Sequence, residues 1–195
     1  MKIAIVKYNA GNVQSVINAI RRFGIEPIVT GLGDELASAD RVIFPGVGEA
    51  SSAMDYLRTK NLDEAIKSLG QPVLAICLGM QLLCKRSDEN DTECLGVLPH
   101  NVKMLLANGE IKVPHMGWNN ISSLSSPLFH NIAEDSRVYF VHSYFVEKTR
   151  ETIADATYGS GFSAAVQHEN FYGVQFHPEK SGSVGARILE NFLKL

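Results

Sequence analysis

Cys77 stands where a thiol could serve as a nucleophile. It follows an apolar run, Pro72-Val73-Leu74-Ala75-Ile76, with the pattern of a buried strand, and it precedes a helical pattern from Leu78 to Lys85. A nucleophile on a sharp strand-to-helix turn needs small residues two positions before and after it, because the backbone doubles back there. Ala75 and Gly79 meet that need. The first N–H groups of the helix then face the place where an oxyanion would form, and the positive helix end favours a thiolate. On this segment alone a structural thiol is the alternative, since free cysteine is among the most buried residue types.

The partners that decide between these readings lie far along the chain, at Phe176-His177-Pro178-Glu179. The runs Ala164 to His168 and Phe171 to Phe176 flank Glu169-Asn170 and read as a hairpin. Alternation along the second strand puts Gln175, His177 and Glu179 on one side and Val174 and Phe176 on the other, and Pro178 ends the strand. Two residues apart on extended backbone, Cα atoms are roughly 6–7 Å apart, close enough for Glu179 to orient the His177 ring. Cys77, His177 and Glu179 together have the composition of a nucleophile, base and orienting acid.

Acyl transfer also needs two N–H donors around a tetrahedral oxyanion. The short strand Arg41-Val42-Ile43-Phe44 ends at Pro45-Gly46-Val47-Gly48, whose glycines allow positive φ and present N–H groups to a ligand. The N–H of Leu78, just after the nucleophile, and that of Val47 are the candidate pair. An ordinary strand-to-helix connection would use Gly and Pro as well.

The elements that must position these groups follow an α/β order. Strand 2–7 leads to an amphipathic helix with Val13, Val16, Ile17, Ile20 and Phe23 on one face and Asn12 as its cap. Strands at 25–29 and 41–44, a helical region from about 50 to 69 and the strand before Cys77 predict an open, mostly parallel sheet with helices on both faces. The region from about 94 to 180 is richer in hairpins, and a helix over 183–194 presents Val184, Ile188, Leu189 and Phe192. No repeat or linker is visible, so residues 1–195 read as one domain, able to bury about 70% of its unfolded surface. A net charge of −3 gives no footprint for nucleic acid or an anionic membrane. The opening apolar stretch is too short for a signal or membrane segment, which points to the cytoplasm. Three cysteines suggest no disulfide framework; Cys84 and Cys94 read as filler, and no metal-ligand spacing links cysteine to histidine.

Six segments, in order, carry a resemblance: Tyr8-Asn9-Ala10-Gly11-Asn12, Pro45-Gly46-Val47-Gly48, Cys77 to Leu83, Val113-Pro114-His115-Met116-Gly117-Trp118-Asn119, Tyr139-Phe140-Val141-His142-Ser143-Tyr144, and Gln175 to Lys180. The chain resembles the class I, triad-type glutamine amidotransferases over its whole length. Among them it is similar to the glutaminase subunits of imidazole glycerol phosphate synthase, in histidine biosynthesis. The Pro-Gly-Val-Gly and Pro-His-Met-Gly-Trp-Asn segments are the particular ones. The resemblance implies glutamine as substrate, held by Gly48, Gln81, Ser143 and Tyr144, with His142 and Glu89 as further candidates, and no cofactor or metal. It implies a heterodimer with a cyclase, a (βα)8 barrel that takes the ammonia through a sheltered path. Tyr8, Asn12, Met116, Trp118 and Lys180 would lie towards that partner. Activity is expected to stay low until the partner is docked, with the loop Pro45 to Gly48 as the switch. Ala75, Lys7 and Glu49-Ala50 depart from the family pattern. Rival readings are another cysteine hydrolase on this scaffold, such as a γ-glutamyl hydrolase or the glutaminase of pyridoxal phosphate synthase, or a non-catalytic binding module.

Overall fold

The computed structural model describes residues 1–10, 12–107, 109 and 111–195; Gly11, within the Tyr8-to-Asn12 run, lies outside the described residues. In chain order the first half comprises β1 (Ile3–Val6), α1 (Val13–Arg21), β2 (Ile28–Thr30), α2 (Gly33–Ala37), β3 (Arg41–Phe44), α3 (Ala50–Thr59), α4 (Leu62–Lys67), β4 (Val73–Ile76) and α5 (Leu78–Leu83). Short strands follow: β5 (Arg86–Ser87), β6 (Thr92–Glu93), β7 (Asn101–Met104), β8 (His115–Ile121), β9 (Ser136–His142) and β10 (Tyr144–Val146). The chain closes with β11 (Thr152–Tyr158), β12 (Ser160–His168), β13 (Phe171–Val174) and α6 (Gly182–Lys194).

Among the described residues the main sheet has seven strands, in the order β11-β12-β13-β4-β3-β1-β2. The pairs β1–β2, β1–β3, β3–β4 and β13–β4 are parallel, and the β11–β12 and β12–β13 pairs are antiparallel. Strand alternation divides the core into two layers. Ile3, Ile5, Ile43, Leu74, Ile76 and Val174 pack with Val16 and Ile20 of α1 and Ile188 and Phe192 of α6. Ala4, Val6, Val42, Phe44, Val73 and Ala75 face the other way, against Leu36, Met54, Leu57, Leu62 and Ile66 of α2 to α4 and Leu82 of α5. Strands with both faces covered must be apolar throughout, which is why β1, β3 and β4 are almost unbroken hydrophobic runs. No helix among the described residues is long and apolar enough to cross a membrane.

The expected elements form, with differences: the strand expected at 25–29 is Ile28–Thr30, and a short helix, Gly33–Ala37, follows it. The helical region after residue 50 is two helices, broken at Asn61 with φ +53°. The second hairpin strand stops at Val174, so Glu179 reaches back from a 3₁₀ turn, Pro178–Lys180, and not from continued extended backbone. Met116-Gly117-Trp118 lies within β8, with Met116 63% and Trp118 48% exposed.

β3, β4 and β13 are adjacent and parallel, so their carboxyl ends lie side by side. Pro45–Gly48 leaves the first, Cys77 the second and Gln175–His177 the third. The helix that follows Cys77 is pressed against the end of β3: a Cβ on Gly79 would overlap the Phe44 carbonyl oxygen. Backbone cannot yield to that contact cheaply, so Gly79→Ala is expected to cost about 3 kcal/mol, the upper range for an overpacked site. Urea denaturation measures it, and an unchanged midpoint would show slack at this junction.

Candidate active site

Cys77 is the residue on which the turn pivots, with φ +53° and ψ −109°. An L residue adopts such a backbone only where its surroundings over-determine it. They do so here. Its N–H donates to Val174 O at 2.7 Å, and the next N–H, of Leu78, donates to Gly46 O at 3.3 Å. The sulfur is almost buried, 3.7 Å from Val141 O and 3.6 Å from Gln175 Nε2.

His177 follows β13. Its N–H donates to Tyr139 O at 2.9 Å, and its carbonyl accepts from Ser181 Oγ at 2.7 Å and Lys180 N at 3.0 Å. The ring Nδ1 meets Glu179 Oε1 at 2.8 Å, with both side chains 2% exposed. A carboxylate can only accept, so Nδ1 carries a hydrogen and Nε2 is the nitrogen that exchanges a proton with a neighbour. Nε2 is buried without a hydrogen-bond partner among the described residues, as is Glu179 Oε2. Burial works to lower the His177 pKa, but the neighbouring Cys77 sulfur and the Glu179 carboxylate outweigh it and push the ring up to about 10. The sulfur and the carboxylate beside it thus favour the protonated ring.

A cavity of about 370 Å³ opens over Cys77. Gly48, Gln81, Glu89, His142, Ser143 and Tyr144 all line it, with Val47, Leu78, Pro114 and Val141. Gln81 donates from one Nε2 to Tyr144 O at 2.9 Å and to Gln175 Oε1 at 3.0 Å, which leaves its own Oε1 as the group a ligand could use. Glu89 accepts from Ala50 N–H at 2.7 Å, and burial raises its pKa. Glu49, one of the departures from the family pattern, caps α3 through Ser52 N at 3.2 Å and also accepts from Ser51 and Asn90. The segment after Gly48 is thus tied to the one that carries Glu89.

Three expectations are corrected. The Leu78 and Val47 N–H groups do not form a pair around an oxyanion position in this structure. Leu78 N–H is taken by Gly46 O. That carbonyl and the Val47 N–H belong to one trans peptide and point in opposite directions, so Val47 N–H faces away from Leu78. Tyr8 is not a surface residue: it is 8% exposed, and its hydroxyl donates to Pro45 O at 2.7 Å, bracing the loop from beneath. His142 lines the cavity, yet both its ring nitrogens are engaged, Nδ1 with Tyr144 O and Nε2 with His115 Nδ1, each at 2.9 Å. It has none left for a ligand. Asn12, Met116, Trp118 and Lys180 are exposed, with Lys180 Nζ 5.8 Å from the Tyr139 ring.

Sequence reasoning missed Gln175, Ser181, Val141 and Pro114 as parts of the site. Alternation did aim Gln175 at the same side as His177, so that signal was present. Ser181 bridges Tyr139 N and His177 O and had no marker.

A family model described as glutamine amidotransferase class-I matches residues 4–195. The chain is 53% identical to the imidazole glycerol phosphate synthase subunit HisH of Bacteroides fragilis and 46% identical to that of Escherichia coli, covering all of each protein and of itself. Among solved structures it resembles a glutamine amidotransferase (TM-score 0.76, 17% identity, 100% of this chain and 98% of that one). It also resembles PurLQS from Thermotoga maritima (TM-score 0.72, 19% identity, 99% of this chain and 97% of that one).

The histidines make stability depend on pH in opposite senses. Burial lowers His115 to about 4 and His142 to about 3, below the 6.5 of a free ring. Below 6.5 the unfolded chain binds more protons, so their contribution, complete above 6.5, is lost as pH falls towards 4 and 3. His177, raised to about 10, contributes fully below 6.5 and loses that contribution as pH rises through about 10. The urea midpoint should therefore fall from pH 6.5 to 4, and His142→Asn should flatten that limb. An identical limb in the variant would refute the assignment.

Proposed function

The chain belongs to the class-I glutamine amidotransferase family, and we propose that it acts as the glutaminase subunit of an imidazole glycerol phosphate synthase. The observation that carries this reading is a thiol on a strained turn that lines a cavity sized for a small ligand, with the buried His177–Glu179 pair beside the sulfur. The full-length relatives named above, 53% and 46% identical, support the choice of synthase.

The chemistry follows from the groups present. His177 Nε2 takes the Cys77 proton, and the sulfur attacks the side-chain carbonyl carbon of glutamine. The tetrahedral intermediate places its negative oxygen near Leu78 N. His177, now protonated at both nitrogens, gives its Nε2 proton to the amide nitrogen, the C–N bond breaks, and ammonia leaves. Water, deprotonated by the same imidazole, attacks the thioester, and glutamate departs as the Cys77–carbon bond breaks. Glu179 holds the ring in one tautomer and stabilises its cation.

The oxyanion donors require a change from the resting geometry. Rotating the Gly46–Val47 peptide by about half a turn would withdraw the carbonyl from Leu78 N–H and bring the Val47 N–H inward, creating both donors at once. One such donor is worth roughly 3–4 kcal/mol in the transition state. That rotation turns about ψ of Gly46 and φ of Val47, and Gly46, with no Cβ, supplies the latitude at its first end.

Ammonia released into water would be protonated and lost, so a docked partner receives it. We assign that partner as the cyclase, a (βα)8 barrel, with glutamine as the small-molecule substrate. The cyclase joins the ammonia to a phosphoribulosyl-formimino nucleotide to give imidazole glycerol phosphate and an aminoimidazole carboxamide ribotide. The exposed Met116, Trp118, Lys180 and Asn12 are the candidate contacts. The buried free cysteines suit the reducing cytoplasm.

Cys77→Ala is the test. Glutamine-dependent synthesis by the complex should vanish, while synthesis from added ammonium salt persists at the wild-type rate. Persistence of both would remove the thioester mechanism, and loss of both would reassign Cys77 to a structural role.

A further inference from the structure

His115 and His142 face each other across β8 and β9, and the thioester chemistry uses neither ring. Their hydrogen bonds have only one consistent direction. His142 Nδ1 meets a carbonyl, Tyr144 O, so it must donate, and its Nε2 is then an acceptor in the neutral ring. His115 Nδ1 meets that Nε2 at 2.9 Å and must be the donor. His115 Nε2 is left as an acceptor and meets Asn119 Nδ2 at 3.4 Å. Both rings are neutral because burial holds their pKa values far below 6.5. The result is a directed chain, Asn119 to His115 to His142 to Tyr144 O.

The chain continues to the nucleophile. Tyr144 O also accepts from Gln81 Nε2, which in turn donates to Gln175 Oε1, and Gln175 Nε2 donates to the Cys77 sulfur. At its outer end, β8 alternates: His115 is buried and Asn119 half-buried, while Met116 and Trp118 between them are exposed. The His115 ring stacks on Tyr158 at 4.0 Å and on Phe140 at 4.9 Å, so it cannot turn without moving the strand.

We propose that His115 is a positioning residue for glutamine hydrolysis, through which a partner docked on the Met116–Trp118 face of β8 fixes His142, the Tyr144 carbonyl and the groups around Cys77. The inference rests on the glutaminase reading.

Two variants, each assayed in the complex with the cyclase, test it. His115→Phe keeps a stacking ring and removes both nitrogens; His115→Asn supplies an amide N–H close to the lost Nδ1–H. His115→Phe is expected to lower kcat for glutamine about tenfold, the effect of one orphaned buried acceptor, with KM moved less than about twofold. His115→Asn should recover most of that loss. Ammonium-supported synthesis should stay at the wild-type rate in both, which reports folding and docking. ¹⁵N spectra of the wild type should show both rings protonated at Nδ1, and His115→Phe should release His142 from that single tautomer. A kcat within twofold of wild type in His115→Phe overturns the proposal. So does a matching loss of ammonium-supported synthesis, or an Asn variant no better than Phe. A wild-type complex that turns over ammonium but not glutamine would instead remove the glutaminase reading beneath it.

Discussion

The backbone of Cys77 is the constraint from which the rest of the site follows. A side-chain-bearing residue at φ +53° stays there only because the carboxyl ends of three parallel strands close around it. Val174 anchors its N–H, Gly46 anchors the next one, and Phe44 blocks the helix from sliding back at Gly79. The same three strand ends supply the Pro45–Gly48 loop and the segment that carries the imidazole. Sheet order, loop position and nucleophile geometry are therefore one structural fact.

Three histidines show how the fold assigns protonation by neighbours and not by burial alone. His142 and His115 lie among apolar rings and one another, and both are held neutral. His177 is buried too, but a carboxylate at 2.8 Å and a sulfur beside it reverse the outcome. A neutral His142 matters to the chemistry, because a second cation in contact with the pocket would oppose formation of the His177 imidazolium.

Much of this was legible in the sequence because it depends on local rules. Small residues flanking Cys77 marked the turn, strand alternation put Gln175 and His177 on one side, and the apolar runs announced a covered parallel sheet. What escaped depended on contacts between distant segments. Tyr8 has the look of a surface tyrosine in the sequence, yet its hydroxyl sits under Pro45. His142 has the look of a ligand-holding group, yet neighbours occupy both its nitrogens. Trp118 is placed outward by the family resemblance alone; its exposure follows from the register of β8 against β9, which no short window of sequence determines. The direction of the Gly46 carbonyl is likewise invisible to patterning, since both orientations of that peptide suit the same four residues.

The Gly46 carbonyl has a consequence for cell economy. A copy made in excess of its partner would hold an intact triad yet keep its first helical N–H satisfied from within, so the amide nitrogen of the free amino-acid pool would not be drained to no purpose. On the proposed reading, the orientation of a single backbone oxygen would match supply to demand.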